Sequence, residues 1–502
     1  MITQSDIIYF LLTDRFCDGD PKNNFDVDRG NPCAYHGGDF KGIVEKIPYL
    51  KNLGVNVVWI TPVYVNIHLP ERGLWGYHGY WTLDFERVDD HWYSTSEGVP
   101  KGSKEYLREL VDILHRNGLK LILDVVVNHT GYDHPGQRGE PDTKIRPHWF
   151  NPRGRYSEEE LYLSGLPDLD HDQAEVADYF VNNILDWIEA TGVDGIRMDA
   201  VKHVERAFWY HFKNYVRGRY PNVSVIAEVL DMDIDKVARF QRYFAFDSLF
   251  DFPLQQAIWD VFIHDKSFNL IARPRLHDDE PKGVLDKDTL YTNHNRLIIL
   301  LDNHDLKKRI FSEALDRFGG DRDKALKVFK MAITFLLTTR GIPQIYYGTE
   351  IAMEGYGDPD NRRDMPWEVF DSGLEPSDEC PLEKEAFEHV KKLIALRNRT
   401  PALRYASLLT LYADHFVYAY LREFRGNNVI VVINNGHEPM PSPLTVDIGI
   451  NSNIPPRIKK NLEGKKLVDQ IDPNTPPIQV INGRFEVQLA GKTAAVYMSS
   501  VE

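Results

Sequence analysis

The chain has 502 residues, with 59 Lys and Arg against 75 Asp and Glu, so its formal net charge at pH 7 is −16. Hydrophobic residues make up 42% and charged residues 27% of the sequence, which is a globular composition and excludes a disordered or fibrous protein. The acidic balance argues against nucleic acid as a partner, because phosphate binding needs clustered Lys and Arg.

The sequence contains no membrane-spanning or secretory pattern. No apolar run approaches the roughly 18 residues that a membrane span needs, so we expect no membrane partner. The first apolar run covers only residues 7–12 and is flanked by Asp6 and Asp14, unlike a secretory signal. We therefore expect a cytoplasmic protein, or a secreted one whose signal has been removed.

Short apolar runs rich in Val and Ile alternate with amphipathic segments over the first 400 residues. Such runs are typical of strands buried on both faces of a parallel sheet. In chain order, the eight predicted strands lie within residues 6–16, 55–63, 120–128, 193–200, 223–229, 246–254, 297–302 and 342–347. The pattern predicts the α/β class and, within it, a (β/α)8 TIM barrel.

Two regions depart from this alternation. Residues 131–172, after the third strand, show no sustained periodicity and predict an inserted subdomain. From residue 401 onward, alternating apolar residues separated by turn residues predict a carboxy-terminal all-β sandwich. We therefore predict a barrel of residues 1–130 and 173–400, an inserted subdomain of residues 131–172 and an antiparallel sandwich of residues 401–502.

Polar residues end several of the predicted strands, at the barrel edge where functional groups lie. The third strand runs into residues 124–129 (DVVVNH), the fourth ends at Asp199, the fifth at Glu228 and the seventh at residues 301–305 (LDNHD). Each residue alone is also compatible with a helix cap. Several carboxylates in phase at one end of a barrel indicate a site.

The chemistry of that site is narrowed by absent motifs. The sequence has no GxxxxGK[ST], no strand-borne GxGxxG and no HExxH, so phosphoryl transfer, hydride transfer and zinc hydrolysis lack their usual residues. Paired carboxylates suit glycosidic cleavage, in which one donates a proton and the other acts as nucleophile or base. Aromatic residues within 75–81 suit stacking on sugar rings, or ordinary packing.

Six segments in order resemble the α-amylase family, the glycoside hydrolases that act on α-glucosidic bonds. They are DVVVNH (124–129), LPDLD (166–170), GIRMDAVKH (195–203), AEV (227–229), LDNHD (301–305) and GIPQIYYGTE (341–350). The resemblance spans the whole chain. It implies the same three-part layout and an α-glucan as the substrate partner.

The resemblance also implies roles for individual residues. Asp199 is expected to be the nucleophile, Glu228 the general acid/base, and Asp305 the carboxylate that stabilises the distorted sugar. The substrate-binding residues that it implies are Tyr80, His129, Arg197, Lys202, His203, His304, Asp358 and Arg362. The expected outcome is retention of the anomer by double displacement.

One or two Ca²⁺ sites are implied as well. The first matches Asn128, Asp168 and His203, with a further ligand from the insertion that the sequence does not place. The second resembles an amino-terminal loop of cyclodextrin glucanotransferases and comprises Asp18, Asp20, Asn23, Asn24, Gly37 and Asp39. Oxygen ligands at this density suit Ca²⁺, although a plain turn has the same composition.

Hydrolysis and transfer are harder to separate. Ser164 and Leu230 stand where cyclising enzymes of the family carry aromatic residues, and their additional carboxy-terminal domains have no room after residue 502. Water competes better for the glycosyl intermediate when no aromatic platform holds an acceptor sugar. We therefore expect an endo-acting α-amylase on starch, glycogen or maltodextrins, as a monomer or weak homo-oligomer.

Three alternatives stay open. The first is 4-α-glucanotransferase or cyclomaltodextrin-type transfer. The second is exo-acting or cyclomaltodextrinase-like hydrolysis, because residues 360–363 (DNRR) resemble a segment of the enzymes with these activities. The third is a non-catalytic binding barrel, although such relatives lose at least one of the three carboxylates that are present here.

Overall fold

The computed structural model describes residues 1–141, 143–154, 157–273, 283–371 and 373–499. The chain divides into two compact units. Unit 1 comprises residues 1–230, 239–250 and 355–374, and unit 2 comprises residues 231–238, 251–354 and 375–502. The predicted boundaries of barrel, inserted subdomain and sandwich stay a prediction.

The strands are β1 (Ile8–Leu11), β2 (Val57–Ile60), β3 (Tyr64–Asn66), β4 (Thr82–Val88), β5 (Lys120–Val125), β6 (Gly195–Met198), β7 (Ser224–Ala227), β8 (Ser248–Leu249), β9 (Ile298–Ile299), β10 (Ile342–Tyr346), β11 (Phe370–Asp371), β12 (Glu375–Pro376), β13 (Leu408–Ala413), β14 (Val417–Phe424), β15 (Asn427–Asn434), β16 (Leu444–Asp447), β17 (Lys466–Asp469), β18 (Ile478–Gln479), β19 (Arg484–Val487) and β20 (Thr493–Ser499).

The helices are α1 (Thr13–Phe16), α2 (Phe40–Glu45), α3 (Ile47–Leu53), α4 (Glu105–Arg116), α5 (Ala174–Thr191), α6 (Arg206–Arg219), α7 (Ile234–Phe244), α8 (Phe252–Phe262), α9 (Ile310–Arg317), α10 (Arg322–Thr338), α11 (Pro381–Arg399), α12 (Pro401–Tyr405) and α13 (Pro456–Leu462). Within the described ranges, none of them is both long enough and apolar enough to cross a bilayer.

The parallel sheet of unit 1 runs in the order β8-β7-β6-β5-β2-β1. All residues of β1, β2, β6 and β7 are buried, which explains their continuous apolar sequence. Its longest helix, α5, ends at Gly192 in the left-handed conformation, with φ of 72°, the ending that glycine permits most easily. In unit 2, β9 and β10 pair in parallel.

All eight predicted barrel strands are therefore present, each within its predicted range and alternating with helices, in the part of the chain that the structure describes. The predicted (β/α)8 class is confirmed. Between β5 and α5 the described residues form only short 3-10 turns, and bridges from His129 to Asp168 and from Phe150 to Leu169 hold this segment to the end of β5.

The carboxy-terminal region is an antiparallel sheet in the order β13-β14-β15-β20-β17-β18, with β16 and β19 as a separate pair. Its core includes Leu421, Val432 and Tyr497. The predicted antiparallel β architecture is confirmed. The helix α13 was not predicted, and it contributes Ile458 and Leu462 to the same core.

Candidate active site

Asp199 and Glu228 each follow directly after a neighbouring strand of the unit 1 sheet. Asp199 comes one residue after β6 and Glu228 one residue after β7. Backbone bonds continue the strand pairing, with the Asp199 amide donating to the Val125 carbonyl and the Glu228 amide to the Met198 carbonyl, both at 3.0 Å. Their side chains keep 12% and 9% of their surface exposed, so both carboxyl groups are accessible to solvent.

Arg197 connects these two carboxylates. Its Nη1 donates to Asp199 Oδ1 at 2.7 Å and its Nη2 lies 3.0 Å from Glu228 Oε2. The residue is on β6, two positions before Asp199, so that both side chains lie on the same face of the strand. One buried guanidinium thus holds two predicted catalytic groups close together by charge-assisted hydrogen bonds.

Asp124 is a third carboxylate of this cluster. The parallel register places it beside Arg197, whose Nη1 donates to its Oδ1 at 2.9 Å. Trp59 Nε1 and Tyr80 Oη donate to Asp124 Oδ2 at 3.2 and 2.8 Å. Burial raises the pKa of the Asp124 carboxyl to about 6, while Arg197 lowers it. Burial also opposes the charge of Arg197, but the surrounding carboxylates raise its pKa well above the usual value.

The turn after Asp199 adds a further contact. Ala200 has a φ of 50°, which is uncommon for a residue with a Cβ, and its amide donates to Glu228 Oε2 at 2.9 Å. Glu228 Oε2 therefore faces two donors, the Ala200 amide and the Arg197 guanidinium. This leaves the acidic proton of a protonated Glu228 to Oε1.

The predicted sugar contacts Tyr80 and His129 touch each other. The Tyr80 carbonyl accepts from His129 Nε2 at 3.1 Å, so this nitrogen carries the proton in the neutral ring. Burial lowers the pKa of His129 to about 4. His78 and Trp81 extend the aromatic group, with ring centroids 4.5 Å apart.

The other predicted sugar-binding residues of unit 1 lie in two places. Lys202 donates through Nζ to the Leu230 carbonyl at 2.7 Å, and His203 donates through Nδ1 to the Glu158 carbonyl at 2.7 Å. Arg362 and Asp358 form an ion pair at 3.3 Å, and Tyr77 donates to the same Asp358 oxygen at 3.3 Å.

Asp305 and His304 belong to unit 2, after β9. His304 is buried, whereas the Asp305 side chain is 33% exposed and lies 3.4 Å from the His304 ring nitrogen. The Asp305 amide donates to Asn303 Oδ1 at 2.9 Å. Asp302 is buried beneath them and accepts from Thr349 Oγ1 and the Ile310 amide. The meeting of Asp305 with Asp199 and Glu228 stays a prediction.

Two sets of buried oxygens without hydrogen-bond partners coincide with the predicted Ca²⁺ residues. The first comprises the Oδ1 atoms of Asn128, Asn151 and Asp168. Asn151 Nδ2 donates to Asp168 Oδ2 at 2.9 Å, and the Leu169 amide to the Asn128 carbonyl at 2.9 Å. Asn151 lies in the inserted segment and contacts Asp168, where a further ligand is expected that the sequence does not place. Burial raises the pKa of Asp168 to about 8.

The second set comprises the Oδ1 atoms of Asp18, Asn23 and Asn24. Asn24 Nδ2 donates to Asp18 Oδ2 at 2.7 Å, and a Cβ at Gly37 would lie 2.5 Å from Asn24 Oδ1, so glycine is required there.

Asp39 and Asp20 differ from that set. Both Asp39 oxygens accept hydrogen bonds, from the amides of residues 19, 20 and 42 and from Asn23 Nδ2, so Asp39 organises the loop. Asp20 Oδ1 accepts from the Lys22 amide. No group of three or more His, Cys, Asp or Glu side chains suited to a metal occurs in the described ranges, and both sets rely on amide oxygens.

Known proteins resemble this chain over most of its length. The family model "Alpha amylase, catalytic domain" matches residues 10–406. A β/α-amylase of Paenibacillus polymyxa is 32% identical over 98% of this chain, and a cyclomaltodextrinase of Thermoanaerobacter pseudethanolicus is 30% identical over 86% of it. The chain spans 37% of the length of the first relative and 70% of the second.

Solved structures give the same result. An α-amylase of Anoxybacillus has a TM-score of 0.80 and 30% identity, with 100% of this chain and 99% of that one covered. A cyclomaltodextrin glucanotransferase described as having a three-domain ABC distribution has a TM-score of 0.77 and 29% identity, with 99% of each chain covered. With the Arg197 cluster at the ends of β5, β6 and β7, these matches show that the chain is a member of the α-amylase family of glycoside hydrolases.

Proposed function

We propose that the protein hydrolyses internal α-1,4-glucosidic bonds of starch, glycogen or maltodextrins with retention of configuration. The observation that supports this most directly is the bridging of Asp199 and Glu228 by one guanidinium. Groups joined in this way are close, which favours the carboxyl separation of about 5–5.5 Å of retaining enzymes over the wider one of inverting enzymes.

In the first step, an Asp199 oxygen attacks C1 of the sugar while the bond from C1 to the leaving oxygen breaks. Glu228 gives its proton, carried on Oε1, to that oxygen. In the second step, Glu228 takes a proton from water, the water oxygen attacks C1, and the ester bond to Asp199 breaks. Asp305 is the proposed stabiliser of the positively charged transition state.

The acceptor side favours water over a second sugar. Ser164 is exposed and Leu230 is 39% exposed, and neither offers an aromatic ring to an acceptor. Additional carboxy-terminal domains do not separate transfer from hydrolysis, because a glucanotransferase described as having three domains is matched over 99% of its own length. Transfer is therefore the second candidate, with cyclomaltodextrinase-like hydrolysis beside it.

A product time course on maltoheptaose, starch and β-cyclodextrin separates these activities. Endo-hydrolysis predicts a rapid fall in the viscosity of starch, new reducing ends and few products longer than the substrate. Glucans longer than maltoheptaose as the main early products would support transfer instead, and a clear preference for the cyclic substrate would support the cyclomaltodextrinase reading.

We also propose Ca²⁺ as a structural ligand at two places. Asn128, Asp168, Asn151 and the His203 carbonyl would hold one ion, and Asp18, Asn23, Asn24 and the loop around Gly37 the other. Carboxylate and amide oxygens are the ligands that Ca²⁺ prefers. An ion would bind to buried oxygens that otherwise have no hydrogen-bond partner. Removal by a chelator should lower the thermal midpoint, and added Ca²⁺ should restore it. An unchanged midpoint would contradict the proposal.

A further inference from the structure

Unit 1 contains a second concave site, which we call the side cleft. Its volume is about 770 Å³, and its lining comes from residues 20–23, Phe25, Lys41, Asp90, residues 93–95 and Lys101. This volume lies within the roughly 300–1,000 Å³ that is typical of small-molecule sites. Its lining includes none of the residues assigned here to catalysis or to sugar binding at the active site.

The lining includes Phe25, which is 44% exposed. Its backbone is nevertheless held by two hydrogen bonds, and its ring has a neighbour. The Phe25 amide donates to the Asn23 carbonyl at 3.0 Å, and the Phe25 carbonyl accepts from His91 Nε2 at 3.0 Å. The two rings also lie in contact, with centroids 4.8 Å apart. An exposed aromatic face held in this way is a preorganised platform for an apolar surface.

Tyr93, another residue of the lining, is also held by its surroundings. The Tyr93 ring stacks on the Tyr106 ring with centroids 3.7 Å apart. Its hydroxyl donates to Asp90 Oδ1 and accepts from the Gly102 amide at 2.6 Å. These contacts hold Asp90 and the backbone of Gly102, and both Asp90 and Lys101, the residue before Gly102, line the side cleft.

The lining also carries charged groups of both signs. Lys22, Lys41 and Lys101 line the side cleft, are exposed, and have no ion-pair partner within 4.0 Å in the described part of the chain. Asp20 and Asp90 supply acceptors in the same space. An anionic ligand would meet these two carboxylates, whereas sugar hydroxyls both donate and accept and match such a mixed set.

We propose that the side cleft is a second α-glucan-binding site, in which Phe25 stacks against the apolar face of a glucose unit and Lys101 and Asp90 bind its hydroxyls. The glucan as ligand rests on the proposed function, but the cleft geometry does not. Such a site would hold a polymeric substrate near the enzyme independently of occupancy of the active site.

The test is calorimetric titration of maltoheptaose into the Glu228→Gln variant, which removes the proposed acid without removing the side cleft. Two binding events are expected. Addition of Phe25→Ala should weaken one event roughly tenfold, since one ring contact is lost. Addition of Phe416→Ala is the matched control, because Phe416 is also 44% exposed but lies in the carboxy-terminal region. It should leave both events unchanged.

A second variant guards against misfolding. Lys101→Ala changes only an exposed side chain of the same lining and should weaken the same event as Phe25→Ala. A single binding event in Glu228→Gln, or two unchanged events in both cleft variants, would overturn the side cleft proposal. Retained hydrolytic activity in Glu228→Gln would instead overturn the proposed function, so the two failures are distinguishable.

Discussion

Two buried arginines of this protein each bind several carboxylates, and each cluster includes a carboxylate side chain that keeps some exposed surface. Arg197 in unit 1 contacts Asp124, Asp199 and Glu228. Arg340 in unit 2 donates to Asp251 at 2.6 Å and, through Nε, to both Asp288 oxygens at 3.0 and 3.1 Å. Both guanidinium groups are buried to 99% or more.

The difference lies in charge balance and in what else the carboxylates bind. The Arg197 cluster has three carboxylates for one cation, at the ends of β5, β6 and β7. The Arg340 cluster has two, and Asp251 also caps α8 by accepting from the Leu254 amide at 3.1 Å. A buried ion pair therefore does not mark a site. In this protein the proposed site differs from the Arg340 cluster by an excess of negative charge at the carboxyl ends of parallel strands.

The largest effect is expected for Asp199→Asn. The amide still accepts from Arg197 but cannot form the glycosyl ester, so the hydrolysis rate on maltoheptaose should fall about 10⁴-fold or more with little change in thermal midpoint. Asp288→Asn is the counterpart in the Arg340 cluster, and it should lower the midpoint while activity stays. An Asp199→Asn enzyme within tenfold of the wild-type rate would contradict the catalytic role proposed for Asp199.

Arg340→Met tests the structural role of the Arg340 cluster. It leaves Asp251 and Asp288 without their cation, and loss of one partner from a buried pair costs about 3–5 kcal/mol. Thermal and urea unfolding should show this loss. Adding Asp251→Asn and Asp288→Asn should recover part of it, because no buried charge is then unpaired. An unaltered unfolding midpoint in Arg340→Met would contradict a structural role.

Two buried histidines, one in the candidate site and one outside it, should both make stability depend on pH. His129 and His171 are both buried, each donates to a backbone carbonyl, and burial lowers the pKa of each to about 4. Between pH 6.5 and 4 the unfolded chain binds a proton that the folded one does not. Stability should therefore fall as the pH is lowered through this range, by up to about 3 kcal/mol for each histidine.

The two histidines should differ in function. His171→Gln is expected to reduce the loss of thermal midpoint between pH 7 and pH 4.5 and to leave KM for maltoheptaose as it is. His129→Gln should reduce the same loss but raise KM, since His129 is a proposed sugar contact. Equal KM values in the two variants would remove His129 from the site.

The smallest effect is expected at the proposed Ca²⁺ ligand Asn151. Asn151→Ala should weaken Ca²⁺ binding about 10- to 100-fold, as measured by competition with a chelating dye. Asn183→Ala is the control, because Asn183 Oδ1 is also buried without a partner but lies on α5, away from both proposed ion sites. Equal affinities in the two variants would contradict the assignment of Asn151.

The sequence predicted the eight barrel strands and the fold class because buried parallel strands are continuous apolar runs. The contact of Asp124 with Arg197 could also have been predicted, since it follows from the register of adjacent strands. Asn151 could not, because it lies in a segment without periodicity. The Arg340 cluster depends on residues 89 and 52 positions apart, and helix α13 is a short basic segment within an alternating region.

The left-handed Ala200 has a consequence for anyone who engineers this enzyme toward heat resistance. Its conformation costs about 1 kcal/mol relative to a relaxed one, and glycine would relieve that cost. However, the same backbone turn directs the Ala200 amide at Glu228, the proposed acid/base residue. Glycine at this position would raise thermal stability, but its more flexible backbone would no longer align Asp199 and Glu228. Substitutions for heat resistance are therefore better placed in the scaffold far from β6.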